Sequence, residues 1–360
     1  MSVTIIGAET TLLRFPLAGP TGGSGITAVD VIVVDLADSD GNTGTGFSYV
    51  LGGGGDTVAA TASSLLERFV RGRPAIPPPA LWRLLAVSLN RLGRGTGYLA
   101  IAAIDVAAWD RQAKAARMPL YAALGGTARA MPVYGSGGFG PTQAPDSAVE
   151  RARAYVAMGC TAVKLRVAGN RADLARLRAV REALPDHVDL MADANEKCDL
   201  ARAQWLAGAC AEFGLLWLEE PLPVADTGGY AALARTAPVP IAAGEHHQGL
   251  VELAALLDDR SVAVLQPDLA MIGGITESMR VATVAEHYGL SVSPHFLPAL
   301  YVHLACAAPS VRWLEHFPLL EPLFADPVTL AADGTLAPSE VPGHGLRWAD
   351  GVRERYRVAG

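Results

Sequence analysis

Several features are scarce in this 360-residue chain, and each scarcity excludes a class of function. No uninterrupted apolar stretch reaches the roughly 18 residues that a membrane-crossing helix needs, so no membrane partner is expected. Lysine and arginine number 29 against 36 acidic residues, giving a net charge of −7. With no basic run and no Cys/His finger spacing, nucleic acid is not an expected partner. Cys160, Cys198, Cys210 and Cys306 show no paired spacing, which reads as free thiols in a reducing, cytoplasmic setting rather than a disulfide framework. Residues 1–13 lack a basic stretch followed by an apolar run, so no secretory leader is expected either.

What is present is a long chain with a large apolar share, enough for more than one ordinary domain. Val3–Phe15, Thr27–Leu36 and Thr43–Val50 are β-branched runs separated by turn chemistry, and the Gly/Pro-rich 16–25 stretch reads as a loop. Helical patterns follow over Asp56–Val70, Pro79–Leu92 and Gly97–Ala116, the last with Asp105 and Asp110 on an otherwise apolar strip. Residues 1–125 thus form an α+β domain.

From Met131 onward short apolar runs alternate with amphipathic helices. The runs end at Ser136, Arg166, Asp193, Glu219, Glu245, Asp268, His295 and Glu315, at steps of 20 to 30 residues. Each step holds one strand, one helix and two short loops, and such units in succession close into a parallel β/α barrel. The expected architecture is α/β: a (β/α)7β modified TIM barrel over 126–318, capped by 1–125, with 319–360 packing back on the cap. Gly52–Gly55 lacks a following Lys-Ser/Thr, and is read as a loop over the site rather than a phosphate loop.

Strand ends of a barrel face its C-terminal mouth, where active sites form. One acid after one strand is usually a helix cap or a turn residue; ionisable groups at consecutive strand ends need a compensating cation. Asp193, Glu219 and Glu245 stand 26 residues apart on three adjacent strands. Three carboxylates suit a hard dication, Mg2+ before Mn2+. Asp268 and His295, on the next two strands, form a pair in which the acid orients the imidazole and raises its basicity. Lys164 and Arg166 alternate around Leu165 and so share one face, here the barrel interior. Glu315 either hydrogen-bonds a substrate oxygen when protonated or pairs with one of these cations. Asn195, His246 and His247, just past two of the metal carboxylates, are candidate substrate contacts, with ordinary loop residues as the alternative.

In these stretches (Lys164-Leu165-Arg166, Ala192-Asp193-Ala194-Asn195, Leu218-Glu219-Glu220-Pro221, Gly244-Glu245-His246, Gln266-Pro267-Asp268, Ser293-Pro294-His295 and Leu314-Glu315) the sequence resembles the mandelate-racemase subgroup of the enolase superfamily. The resemblance spans essentially the whole chain. It implies one Mg2+ on Asp193, Glu219 and Glu245, a His295–Asp268 base, Glu315 as hydrogen-bond partner of the substrate carboxylate, and Lys164 as its neutralising cation. It also implies loops near 16–25 and 50–55 that close over the substrate, and a homo-oligomer. The subgroup's familiar Lys-x-Lys becomes Lys-x-Arg here, and a guanidinium is a poor proton acceptor at any working pH. A racemase needs a base on each face of the substrate; one imidazole suits β-elimination. The expected reaction is therefore dehydration of an acid sugar to a 2-keto-3-deoxy acid, with cycloisomerase or epimerase as the alternative. Arg166 is then free to grip a hydroxyl or a distal carboxylate.

Overall fold

The computed structural model describes residues 2–18 and 25–359. Residues 19–24, part of the loop expected over the substrate, lie outside them. Strands β1 (Ile5–Pro16), β2 (Ala28–Asp38) and β3 (Thr43–Leu51) form an antiparallel meander, with β2 central and buried on both faces. Helices α1 (Gly55–Phe69), α2 (Pro78–Ser88) and α3 (Gly95–Ala115) follow. Two glycines on β3 let α3 lie directly on the sheet: a Cβ on Gly46 would come within 2.3 Å of the Ala103 carbonyl, and one on Gly44 within 2.3 Å of that of Ala107.

The two acids on the apolar face of α3 are ties to the rest of the chain. Asp105 accepts hydrogen bonds from the Thr276 hydroxyl at 2.6 Å and its amide at 2.8 Å, satisfying the start of a barrel helix. Asp110 accepts from the amides of Thr45 at 2.9 Å and His344 at 3.0 Å. Burial pushes the Asp105 carboxyl up to about 7.

After α4 (Leu120–Ala123) the barrel begins. Its eight strands are β4 (Met131–Gly135), β5 (Ala162–Arg166), β6 (Asp189–Asp193), β7 (Leu218–Glu219), β8 (Ile241–Ala243), β9 (Val264–Leu265), β10 (Ser291–Val292) and β11 (Leu314–His316). They pair in parallel from β4 to β10, and β11 returns beside β4. The seam between β10 and the run into β11 closes through the parallel Val292–Val311 bridge. Crossovers are made by α5 (Pro145–Ala157), α6 (Arg171–Ala183), α7 (Leu200–Cys210), α8 (Thr227–Ala234), α9 (Gly249–Asp258), the short α10 (Leu269–Ile272) with α11 (Ile275–Tyr288), and α12 (Pro298–Ala307). This is a (β/α)7β barrel. Tyr134, Ala162, Met191, Trp217, Ala242 and Val264 fill its interior, so the mouth has a solid floor.

Beyond β11 come a 3-10 turn at Glu321–Leu323, in keeping with Pro318 and Pro322, a short strand β12 (Thr335–Leu336) antiparallel to β4, and a short helix α13 (Val352–Tyr356). The chain then runs back: Phe324 and Trp348 pack on Phe47 of β3, and the amide of Val358 donates to the Leu12 carbonyl at 2.9 Å. Among the described residues no helix is long and apolar enough to cross a membrane, and all four cysteines are free.

His303 on α12 shows what buried imidazoles contribute. Its Nδ1 accepts from the Tyr121 amide at 3.2 Å, and its Nε2 faces the His344 carbonyl at 3.1 Å, an arrangement that fits the neutral ring. Burial, helped by the neighbouring His344, pushes its pKa down to about 4. A folded value below the unfolded one, roughly 6.5, means the unfolded chain takes up the proton first as pH falls. The stability held above pH 6.5 is therefore lost toward pH 4, by on the order of 3 kcal/mol for this residue alone. Denaturant titrations at pH 7.5 and 5 check this: His303→Gln should be less stable at the higher pH yet lose less on acidification. An equal loss in both proteins would remove His303 from the account.

Candidate active site

Parallel register carries the functional residues to one end of the barrel. Arg166, Asp193 and Glu219 stand side by side at the ends of β5, β6 and β7. Glu245 follows β8, Asp268 follows β9, His295 follows β10 and Glu315 lies in β11. Of the seven non-glycine residues with positive φ among those described, five sit at this mouth: Asn195, Glu196, Glu220, Phe296 and Leu297. Backbone strain of this kind concentrates where side chains must be aimed.

Lys164 is the hub. It is 3% exposed, and its Nζ lies 2.5 Å from Glu219 Oε1, 2.9 Å from Glu315 Oε1 and 3.7 Å from Asp193 Oδ2. Burial opposes its charge, but Glu219 and Glu315 outweigh that and raise its pKa well above the usual lysine value. Arg166 Nη1 stands 2.9 Å from Asp193 Oδ2, in an orientation that makes a charge contact without an aligned hydrogen bond. Lys164 and Arg166 therefore share the interior face that the alternation predicts, and neither is available as a base.

The carboxylates differ in their surroundings. Glu219 also accepts from Trp217 Nε1 at 3.1 Å and Gln266 Nε2 at 2.6 Å. Burial first, then the charges of Asp193, Glu245 and Glu315, push it up to about 8 despite Lys164. Glu315 accepts from the Ser136 hydroxyl and from the Phe296 amide at 3.0 Å. Burial works against its charge, but Lys164, His295 and these donors hold it down at about 2. Of the two roles open to Glu315, the distances show the pairing with Lys164.

Four buried carboxylates thus face two cations, Lys164 buried and Arg166 half-buried, and oxygen-only donors short of positive charge suit a hard dication. Asp193, Glu219 and Glu245 line the same mouth, each with its own partners: Arg166 for Asp193, Lys164 for Glu219, and the Asn195 amide at 3.5 Å for Glu245. Their oxygens are not drawn into one tight group. Among the described residues, the set whose candidate ligand atoms all lie within 4.8 Å of one another is Glu220, Glu245 and His246. In that set His246 Nδ1 is already committed to Glu220 at 2.7 Å. Sharing charge with Glu220 and Glu245 overcomes burial and lifts the imidazole to about 9. That is an internal ion pair, and an imidazolium does not bind a metal.

His295 Nδ1 lies 2.8 Å from Asp268 Oδ2, and Nε2 lies 3.6 Å from Glu245 Oε2. Asp268 also accepts from the amides of Ala270 and Met271 at 2.9 Å, and from the Tyr49 hydroxyl. Tyr49 comes from β3, so the capping domain touches the acid that orients the imidazole. Burial would lower the His295 pKa, but Glu245, then the bond to Asp268, push it up to about 10.

Two cavities meet at His295. The inner one is small and polar, bounded by Ser136, Lys164, Arg166, Asp193 and Glu315. The outer one, about 320 Å3, has Glu245, His246, Asp268 and Tyr49 on its barrel side. Other hollows, one beside the starts of α6 and α7 and one under Phe317, contain none of the strand-end acids.

Sequence reasoning placed the strand-end residues at this mouth and brought His246 to the cavity wall. His247 is different: it is buried, neither ring nitrogen has a partner, and it lines neither cavity. Of Arg14, Phe47, Tyr49 and Asp56, the cap residues whose placement the sequence leaves open, only Tyr49 reaches the outer cavity. Arg14 pairs with Asp30 at 2.7 Å. Trp217 and Gln266 were missed; Trp217 was legible, since it stands two positions before Glu219 and so shares its face.

Residues 4–125 match the family described as mandelate racemase / muconate lactonizing enzyme, N-terminal domain, and residues 147–352 match the enolase C-terminal domain-like family. The chain is 33% identical to the L-talarate/galactarate dehydratase of Salmonella typhimurium, covering 95% of this chain and 88% of that one. It is also 33% identical to the 3,6-anhydro-alpha-L-galactonate cycloisomerase of Streptomyces coelicolor, covering 94% and 95%. Among solved structures, L-talarate dehydratase from Polaromonas sp. JS666, complexed with Mg and L-glucarate, superimposes with a TM-score of 0.91 at 34% identity, covering 99% of this chain and 98% of that one.

Proposed function

The chain belongs to the mandelate racemase subgroup of the enolase superfamily, and from that premise we propose that it is an Mg2+-dependent dehydratase of acid sugars. Asp193, Glu219 and Glu245 would hold the ion. When bound, Mg2+ supplies charge neutralisation at the substrate carboxylate, and at Glu245 it offsets the largest contribution raising the His295 pKa. In this reading residues 126–318 carry the chemistry, and 1–125 with 319–360 close the far wall.

The chain's own groups then divide the work. Lys164 neutralises charge that develops on the substrate carboxylate as the α-proton leaves. His295, oriented by Asp268, takes that proton on Nε2. The Cα–H electron pair becomes the new C=C bond as the Cβ–OH bond breaks. The same imidazole returns its proton to the departing hydroxide, giving water and an enol that tautomerises to the 2-keto-3-deoxy acid. One imidazole serving both steps requires the proton and the hydroxyl to leave from the same face.

The observation carrying this reading is the asymmetry of the site: an oriented imidazole on one side, and a guanidinium held by Asp193 on the other. Arg166 supplies no base for a second face. Incubation with acid sugars and Mg2+ should give a 2-keto acid, and substrate recovered from D2O should keep its configuration at Cα. The same proton abstraction would serve a cycloisomerase, the activity named for the Streptomyces relative. Formation of a lactone, or recovery of the Cα epimer, would replace dehydration with that alternative.

A further inference from the structure

The two cavities differ in character on either side of His295. The inner one holds Lys164 and Arg166, whose present partners Glu219 and Asp193 are the acids that would turn to Mg2+ in the dehydratase reading, and so it receives the carboxylate end of a substrate. Away from its barrel side, the outer one is walled by Ile26, Val50, Leu51, Leu99, Ala270 and Met271. No lysine or arginine lines it among the described residues. His246 does not fill this role, because its charge is matched by Glu220 at 2.7 Å and Glu245 at 3.9 Å. Its second ring nitrogen remains for a hydroxyl of the substrate.

A second carboxylate placed there would lose its water and meet hydrocarbon and the acids Glu245 and Asp268, with no cation to pair it. A methyl or other reduced terminus would instead gain contact area. Resting on the dehydratase reading, we infer that the substrate is a monocarboxylic acid sugar with a deoxygenated distal end, and that diacid sugars are poor substrates. The selection is made by the walls from the capping domain (Ile26, Val50, Leu51, Leu99) and from α10 (Ala270, Met271). The relatives named for diacid sugars therefore do not predict this chain's substrate, although the solved one shares its fold.

The test is a panel of 6-deoxyaldonates, aldonates and aldarates of matched stereochemistry, given to the full chain with Mg2+ in D2O. Two readouts are followed, Cα proton exchange by NMR and 2-keto acid formation. Exchange should favour the 6-deoxyaldonates over aldonates by about tenfold, the scale of one apolar group in a pocket. Aldarates should fall a further ~100-fold because their second charge stays unpaired. Leu51→Arg, at a wall position 40% exposed and so tolerant of a charge, should raise aldarate exchange at least ~10-fold relative to the 6-deoxyaldonates. Aldarates exchanging as well as the deoxy monoacids, or no change of that ratio in the variant, would overturn the inference. Exchange with the expected preference but no keto acid would overturn dehydration while leaving the distal assignment standing. Neither exchange nor keto acid from any member of the panel would overturn both.

Discussion

Replacing His295 with asparagine is expected to abolish exchange of the substrate α-proton with solvent deuterium, a loss of about 10²- to 10⁴-fold for removing a positioned general base. Asparagine is close in size and still offers Asp268 an amide donor, so the packing against Phe296 (ring centroids 4.8 Å from the imidazole) is disturbed little. What disappears is the imidazole that Asp268 orients toward the substrate, a base once Mg2+ offsets the charge of Glu245. Lys164 is held protonated by Glu219 and Glu315, Arg166 stays charged, and the remaining carboxylates are committed to cations or backbone donors. Turnover and exchange should fall together, because the imidazole acts in both the removal and the return of the proton. A variant that retains both exchange and keto-acid formation at the unmodified rates would take His295 out of the mechanism. A variant that exchanges normally but forms no keto acid would assign it to the second step alone.

Much of this arrangement was legible because a barrel turns sequence spacing into geometry. Regular steps between strand ends placed Asp193, Glu219, Glu245, Asp268, His295 and Glu315 around one mouth, and period-two alternation put Lys164 and Arg166 on one face. Helix α8 was not read: Gly228, Gly229 and a run of alanines blur its periodicity, and neighbouring helices decide its fold. The outer cavity was not readable either. Its walls come from residue 26, residues 50–51, Leu99 and residues 270–271, which meet only through the docking of α3 and β3 on the barrel. Tyr49 and Asp268 are 219 positions apart, and no local pattern links them. The choice between the two carboxylate groupings at the mouth is likewise decided by hydrogen-bond partners rather than by spacing, since Glu219 and Glu220 are adjacent.

That choice gives the second large effect. Glu245 belongs to both groupings, so only its neighbours discriminate. Glu219→Gln is expected to weaken Mg2+ binding by ~100-fold or more, since an amide replaces one of three charged ligands, and to lower turnover on the order of 10³-fold. Isothermal titration of Mg2+ measures the binding, and the fluorescence of Trp217, whose indole donates to Glu219, should change with it in the unmodified chain. Glu220→Gln should change Mg2+ affinity by less than about threefold, because its partner His246 carries a proton at neutral pH and offers no lone pair to a metal. Folding separates these losses from simple damage. Glu219 accepts from Lys164, Trp217 and Gln266, so an amide with a single acceptor oxygen should lower the thermal midpoint by a few degrees only, and Mg2+ titration of the still-folded variant then reads the lost ligand alone. The reverse pattern, with Mg2+ binding lost in Glu220→Gln and kept in Glu219→Gln, would move the ion to Glu220, Glu245 and His246. Lys164 would then neutralise Glu219 instead of substrate, and the proposed proton abstraction would lose its electrostatic basis.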